Sequence, residues 1–365
     1  MIRKKVAVVV GTRPNFVKCT CLLKEFEKNK EFFDYYLINT GQHYDRSMAG
    51  VFFDELEIKP DLNLDVVGSN HVQTIARSIR KLSDLFSKFV FDYVIVFGDV
   101  NSTLACAVAG ARYSQRMVHV ESGLRSHDRR MPEEINRVIT DHISDIHFTS
   151  ESAGNKNLEL ESIPPGSVYF VGNIMIDTLV FFSKQIDEAD TVKKLGFPLS
   201  RYILVTVHRQ ENVDDKFNLK TIFQALNDIS KKYKVVLPLH PRTKGKLNEF
   251  GISHFLDKMT VIEPQSYFNF MNLVKNALAV VTDSGGIQEE TSYLDIPCIT
   301  LRDNTERPVT VEMGTNTLVD IHPNRLSLTE RIFGCIENPR RRRQEIPLWD
   351  GKTSERIIQI LKENV

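Results

Sequence analysis

The stretch Ala277-Leu-Ala-Val-Val-Thr-Asp-Ser-Gly-Gly-Ile-Gln-Glu-Glu290 decides how the rest of the chain is read. A short apolar run rich in valine reads as a buried strand, and it stops at a polar turn with two glycines. Gln288, Glu289 and Glu290 then open a helical pattern. Asp283 or Ser284 stands where it can cap that helix, leaving backbone N–H groups to point out of the turn. Gly285 and Gly286 let an outside group approach the backbone closely. Free amides and the positive end of the helix dipole together make an anion site suited to phosphate. The same pattern also suits an ordinary capped strand-to-helix connection. What separates the two is how many other strands in the chain end in the same way.

Working outward, apolar runs rich in Val and Ile recur at 6–10, 36–39, 93–97, 117–120, 146–149 and 168–171. A second series follows at 202–207, 234–238, 259–262, 278–282, 298–301 and 317–319. Helical patterns lie between them, as at 103–112, 133–143, 219–231 and 286–293. This alternation predicts an α/β fold with parallel sheets. The 365 residues exceed one typical core, so two doubly wound domains are expected. Ile163-Pro-Pro-Gly166 and the polar segment 184–194 separate the two series, which places the division between 165 and 200. The expected domains are 1–172 and 173–365.

Composition removes several function classes. Forty-seven basic residues balance 47 acidic ones, so no global field draws the chain to nucleic acid or an anionic membrane. Any affinity for phosphate must be local. The five cysteines (Cys19, Cys21, Cys106, Cys298 and Cys335) contain no C-x-x-C pair and mostly sit in apolar runs, so they read as reduced core residues. The apolar part of the first ten residues is too short for a signal sequence or a membrane span, and a cytoplasmic protein is expected. There is no G-x-G-x-x-G, no Walker A loop, no His-Glu-x-x-His and no Cys/His cluster.

In doubly wound sheets, ligands sit beyond the carboxyl ends of the strands. The residues found there are Gly11-Thr-Arg13, Thr40-Gly-Gln42-His43, Gly98-Asp99 and Glu121-Ser-Gly-Leu-Arg125 in the first series. In the second they are His208-Arg209, His240-Pro-Arg242, Asp283-Ser284-Gly-Gly and Arg302-Asp-Asn-Thr-Glu306-Arg307. Carboxylates and histidines held rigidly at strand ends suit acid–base work, and arginine suits phosphate. Asp99 has a rival role as cap of the following helix. Glu121, directly after an apolar strand, is harder to explain structurally and reads as functional. Glu133 and Glu134, in a helical first turn, would be merely favourable there. His208 reads either as a core histidine or as a functional one. The run 340–343 reads as a solvated face. Spacing alone reaches a two-domain α/β protein with a phosphate-bearing ligand, and leaves the reaction open.

The set Gly11-Thr-Arg-Pro14, Gly98-Asp99, His119-Val-Glu-Ser-Gly-Leu-Arg125, Pro132-Glu-Glu-Ile-Asn-Arg137, His208-Arg209, Thr282-Asp-Ser-Gly-Gly-Ile-Gln-Glu-Glu290 and Thr305-Glu-Arg-Pro308 resembles the non-hydrolysing UDP-N-acetylglucosamine 2-epimerase family, over nearly the whole chain. The resemblance implies the GT-B fold, two Rossmann-like domains facing across a cleft, with a last helix at about 354–363 crossing back to the first domain. It implies a homodimer, a UDP-sugar substrate, no redox cofactor and no metal. The implied reaction inverts C2 of UDP-N-acetylglucosamine by eliminating UDP, forming 2-acetamidoglucal, and adding UDP back on the other face. By motif match, Asp99, Glu121, Glu133 and His208 are the implied catalytic residues. Arg13, Ser284 and Gly285 are implied at the diphosphate, with His208 a further phosphate contact, Glu290 at the ribose, Arg307 at the nucleotide and Phe270 near the uracil; Lys18 and Gly286 are implied as substrate-binding without a finer place.

The chain also departs from the family's pattern. Asn15 stands where many members carry glutamate, and Thr40-Gly-Gln-His-Tyr-Asp45 differs from the common loop. In some members that loop binds a second UDP-N-acetylglucosamine as an activator, and Gln42, His43, Arg209 and His240 are the residues available for one here. The alternatives are 2-epimerisation of UDP-2,3-diacetamido-2,3-dideoxy-glucuronate, release of free N-acetylmannosamine, a GT-B glycosyltransferase and a nucleotide-sugar sensor.

Overall fold

Strands of the first series are β1 (Lys4–Val10), β2 (Phe33–Asn39), β3 (Leu62–Asn63), β4 (Tyr93–Phe97), β5 (Met117–Ser122), β6 (Ile146–Thr149) and β7 (Val168–Phe170). They form one sheet in the order β3-β2-β1-β4-β5-β6-β7, with every pairing parallel. All five residues of β4 are buried, as a strand covered by helices on both faces requires. The computed structural model describes residues 3–41, 46–66, 68, 70–197, 201–322, 325–342 and 344–364.

The second series gives β8 (Tyr202–Thr206), β9 (Lys234–Pro238), β10 (Thr260–Ile262), β11 (Ala279–Thr282), β12 (Cys298–Thr300) and β13 (Asn316–Leu318). Their order is β10-β9-β8-β11-β12-β13, again all parallel. Parallel neighbours need a crossover, and the helices between strands supply it. The two-residue β3 lies outside what periodicity detects; the other twelve strands coincide with apolar runs in the sequence.

Each sheet has its own core. In the first, Ala7, Val9, Val94 and Val96 pack with Leu82, Phe86 and Ala105 from the covering helices. In the second, Ile203, Val205 and Val281 pack with Ile222, Phe223 and Leu226. Each fully buried Val, Leu, Ile or Phe contributes about 1.5–3 kcal/mol relative to exposure. Cys19, Cys21, Cys106 and Cys298 are buried and unbridged. Burial pushes the Cys21 thiol up to about 12 and that of Cys298 to about 11, so neither is a ready nucleophile.

The chain divides into Met1–Phe181 with Pro347–Val365, and Phe182–Ile346. This differs from a division at 172/173, because helix Ile174–Phe181 belongs with the first sheet. There the Thr178 hydroxyl donates to the Val17 carbonyl at 2.7 Å. The last helix, Thr353–Glu363, also belongs to the first unit. Its initial amides, Thr353 N and Ser354 N, donate to the Asp177 carboxylate at 3.0 and 2.6 Å. An acid from another helix thus takes the capping role that the helix's own Lys352 cannot fill.

In both sheets the chain runs outward on one side and then returns to build the other. The reversal lies between β1 and β4 in the first sheet, and between β8 and β11 in the second. At such a switch point the connections leave in opposite directions and open a crevice beyond the strand ends. Gly11-Thr12-Arg13 and Gly98-Asp99 follow β1 and β4; His208-Arg209 and Asp283-Ser284 follow β8 and β11.

Candidate active site

At the first switch point, four side chains alternate in charge. Arg137, with no solvent exposure, extends Nη2 to Asp99 Oδ2 at 2.7 Å and to Glu121 Oε1 at 3.3 Å. The other Glu121 oxygen pairs with Lys18 Nζ, itself only 8% exposed. A buried charge is tolerable only with such partners, and here two cations meet two carboxylates. Lys18 comes from helix Arg13–Lys28 and Arg137 from helix Pro132–Ile143. Glu121 has φ +67°, and the β5–β6 register shifts between Val120 and Ser122. A bulge re-aims a side chain, and a non-glycine residue in the left-handed region costs about 1–3 kcal/mol that surroundings must offset. Glu121 is thus a strained, buried carboxylate at the carboxyl end of β5.

Asp99 does not cap the helix that follows it. The cap position is Val100, and Asp99 spends its carboxylate on Arg137. Asn136 Nδ2 donates to the Asp99 carbonyl at 2.8 Å and to Asn101 Oδ1 at 3.2 Å. Glu133 is half-buried in the first turn of helix Pro132–Ile143. Its neighbour Glu134 is buried and accepts from Ser126 N and His127 N at 2.7 and 3.1 Å, so it anchors a loop. Arg13 is half-buried, with its guanidinium 5.3 Å from the Phe52 ring centroid. Asn15 is structural: Oδ1 accepts from Gly11 N at 3.3 Å and Nδ2 donates to the Phe97 carbonyl at 3.2 Å.

Behind these residues lies a buried chain that motif reading did not assign. His119 Nδ1 is 2.6 Å from Asp141 Oδ1, and Nε2 is 2.7 Å from the Gly98 carbonyl. Asp141 Oδ2 accepts from Arg125 Nη2 at 2.7 Å and from Gly123 N at 3.1 Å. Burial alone would raise the Asp141 carboxyl, but His119 and Arg125 outweigh it and hold it at about 2. The signal in the sequence is a histidine flanked by valines in the apolar start of a strand, with no partner nearby in the chain.

At the second switch point, Asp283 does not cap its helix either. Fully buried, it accepts from His208 N at 3.0 Å, Arg209 N at 2.9 Å and Asn212 Nδ2 at 3.2 Å, and pairs with His208 Nδ1 at 3.2 Å. The cap position is Ser284, which makes no side-chain cap bond, so the first amides of helix Gly285–Leu294 carry no side-chain cap. Burial would lower the His208 imidazolium, but Asp283 outweighs it and raises it above the ordinary value. Asp283, which burial would raise, is lowered chiefly by His208. The His208 contribution to stability is therefore present below about pH 6.5 and fades as pH rises through its raised value. That of Asp283 is present above about pH 3.9 and fades below. Melting curves of wild type and His208→Asn between about pH 5 and 9 are expected to converge as pH rises. With the ring 42% exposed, the converging difference is at most about 1 kcal/mol. A constant difference would show that the pair does not titrate.

Arg307 is buried, with Nε 2.9 Å from Glu289 Oε1 and Nη1 2.9 Å from Glu306 Oε2. Glu306, 2% exposed, also meets Arg302 Nη2 at 3.1 Å and Arg209 Nη2 at 3.4 Å. A Cβ on Gly285 would stand 2.7 Å from Arg307 Nη1, so only glycine lets this pinned guanidinium lie against the helix start. Gly286 follows it, half-buried like Ser284. Glu290 is buried; desolvation, with Glu289 adding to it, pushes its carboxyl up to about 8. Phe270 is half-buried in the first turn of helix Tyr267–Lys275. Arg209 joins the Glu306 group, whereas His240 caps helix Pro241–Glu249 by accepting from Arg242 N at 3.2 Å, its ring 6.0 Å from that of His208. Gln42 and His43 lie outside the described residues. Among the described residues no three His, Cys, Asp or Glu side chains gather as a metal site, and no helix is long and apolar enough to cross a membrane.

The first unit thus offers paired carboxylates in a cationic grip, suited to moving a proton. The second offers uncapped amides, a histidine of raised pKa and an arginine cluster, suited to an anion. Comparison with known proteins points the same way. The sequence profile of the family described as UDP-N-acetylglucosamine 2-epimerase matches residues 24–362. A UDP-N-acetylglucosamine 2-epimerase of Methanococcus maripaludis is 37% identical over 368 residues, 98% of this chain and 98% of that one. The crystal structure of the Methanocaldococcus jannaschii UDP-GlcNAc 2-epimerase in complex with UDP-GlcNAc and UDP matches with a TM-score of 0.91 at 38% identity, covering 98% of this chain and 99% of that one. A UDP-2,3-diacetamido-2,3-dideoxy-D-glucuronate 2-epimerase of Pseudomonas aeruginosa is 38% identical over 320 residues, 86% of this chain and 88% of its own.

Proposed function

The chain belongs to the UDP-N-acetylglucosamine 2-epimerase family, and from that premise we propose that it interconverts UDP-N-acetylglucosamine and UDP-N-acetylmannosamine. It is an isomerase of GT-B fold class. The observation that carries the reading is the strained Glu121, sharing Arg137 with Asp99.

In the proposed reaction one carboxylate removes the C2 proton while the C1–O bond to UDP breaks, giving 2-acetamidoglucal. UDP then re-forms the C1–O bond as a second group delivers a proton to C2 from the opposite face. Asp99, Glu121 and Glu133 carry the proton steps, with Lys18 and Arg137 holding the Glu121 carboxylate in place. Elimination concentrates negative charge on the β-phosphate, which calls for preorganised donors. Arg13, His208, Arg307 and the amides of Ser284, Gly285 and Gly286 fill that role, and Glu290 takes the ribose hydroxyls. A cytoplasmic homodimer completes the proposal; Ile135 and Ile139, one turn apart on helix Pro132–Ile143 and 45% and 40% exposed, are suited to an interface. The diacetamido-glucuronate alternative is not favoured: the relative with that name matches 86% of this chain, against 98% for the UDP-N-acetylglucosamine epimerase of Methanococcus maripaludis.

Proton NMR of UDP-N-acetylglucosamine with the protein in D2O tests the proposal. Deuterium is expected at C2 together with UDP-N-acetylmannosamine. An unchanged spectrum would sink the reading for this substrate, and free N-acetylmannosamine with UDP would indicate a hydrolysing enzyme.

A further inference from the structure

Asp99 follows the end of β4 and Glu121 lies at the irregular end of β5, where the ladder is thin: Gly98 N donates to the Val120 carbonyl at 2.9 Å, and Ser122 pairs with Thr149 beyond the register shift. Pairing of β4 with β5 ends at Phe97 and Val120, and β5 loses register with β6 at the next residue. Past that point Gly98 (φ +59°), Glu121 (φ +67°) and Gly123 (φ +78°) are all left-handed. The two glycines adopt it freely, whereas Glu121 persists there only where its surroundings over-determine it.

Asn136 Nδ2 holds the Asp99 carbonyl at 2.8 Å and Asn157 Nδ2 the Gly123 carbonyl at 2.9 Å, and one buried pair reaches both turns at once. His119 reaches the Gly98 carbonyl, immediately before Asp99, with Nε2 at 2.7 Å. Its Nδ1 meets Asp141 at 2.6 Å, and the other Asp141 oxygen takes Gly123 N at 3.1 Å, two residues after Glu121. Arg125 Nη2 at 2.7 Å and the His147 ring, which meets the Asp141 carbonyl at 2.7 Å, complete the surroundings of the pair. Asp141 and Arg137 are four residues apart on helix Pro132–Ile143, and hence on one face. One helix therefore grips the two carboxylates at their side chains through Arg137 and at their backbone turns through Asp141 and His119.

We propose that His119 and Asp141 are positioning residues that set the separation and aim of Asp99 and Glu121 by tying their two turns to one helix. The proposal rests on the reading of those two carboxylates as the proton-transfer groups. Its consequence is kinetic. A shift of about 1 Å in a reacting group costs on the order of 100-fold in rate without weakening ligand binding elsewhere.

The test compares wild type with His119→Asn, measuring C2 deuterium exchange, the pH profile of kcat, KM for UDP-N-acetylglucosamine, and UDP affinity. Protein that melts cooperatively and still binds UDP stoichiometrically counts as folded. In that protein kcat is expected to fall about 10- to 100-fold with KM and UDP affinity within about two-fold, and the pH profile to shift. Folded His119→Asn with wild-type kcat and pH profile, differing only in melting temperature, would overturn the proposal and leave the family reaction standing. Wild type that neither exchanges nor epimerises would overturn both. Should His119→Asn fail to fold, Asp141→Asn carries the same measurement; it keeps the side chain's size and an oxygen for Gly123 N, and the same two outcomes decide.

Discussion

Replacing Glu121 by glutamine is expected to lower C2 proton exchange by roughly 100- to 10,000-fold, the range that general acid–base groups supply, while UDP still binds. Glutamine keeps the shape of the side chain and removes its charge. Position 121 is left-handed, φ +67°, and glutamine meets the same backbone demand as glutamate. Lys18 and Arg137 would then face a neutral amide, and uncompensated buried charges of this kind cost about 3–5 kcal/mol. Asp99 still satisfies one Arg137 donor at 2.7 Å, which places the cost at the lower end. Exchange is followed by NMR in D2O and UDP affinity by calorimetry. Full exchange in the variant would remove Glu121 from the mechanism.

Glu306→Gln is expected to destabilise the second unit by about 3–5 kcal/mol, because three guanidiniums lose a shared carboxylate. For a unit of this size, that is a drop in melting temperature of roughly 10 °C. Arg307 would keep Glu289 as a partner at 2.9 Å but lose the ion pair that holds Nη1 against Gly285. UDP affinity is therefore expected to fall as well, by about 1.5–3 kcal/mol if one charged hydrogen bond is lost. Differential scanning calorimetry and titration with UDP measure the two effects. An unchanged melting temperature would show that the arginines find solvent or other acceptors without Glu306.

Much of this architecture is legible along the chain. Valine- and isoleucine-rich runs, each closed by a polar cluster, mark every strand except the two-residue β3. The polar, charged and glycine residues that follow β1, β4, β8 and β11 stand at the two switch points. The domain division was less legible, because helix Ile174–Phe181 carries no sign in its own residues of which sheet it will cover. Local pattern left Asp99 and Asp283 open as helix caps. Each stands one residue before the cap position and serves a partner remote in the chain, Arg137 for one and His208 with Arg209 for the other.

The sequence alone settled the α/β class, the two strand series and the strand ends that bear polar residues, because hydrophobic periodicity and turn chemistry act over a few residues. Strand order and side-chain pairing came only with the tertiary structure. Arg137 between Asp99 and Glu121, the His119–Asp141 pair behind them, and Glu306 among three arginines join residues up to 97 positions apart. The left-handed turn at Glu121 likewise depends on packing that no neighbour in the chain supplies. Burying a charge is costly unless a partner arrives, and which partner arrives is decided by how the sheets are ordered.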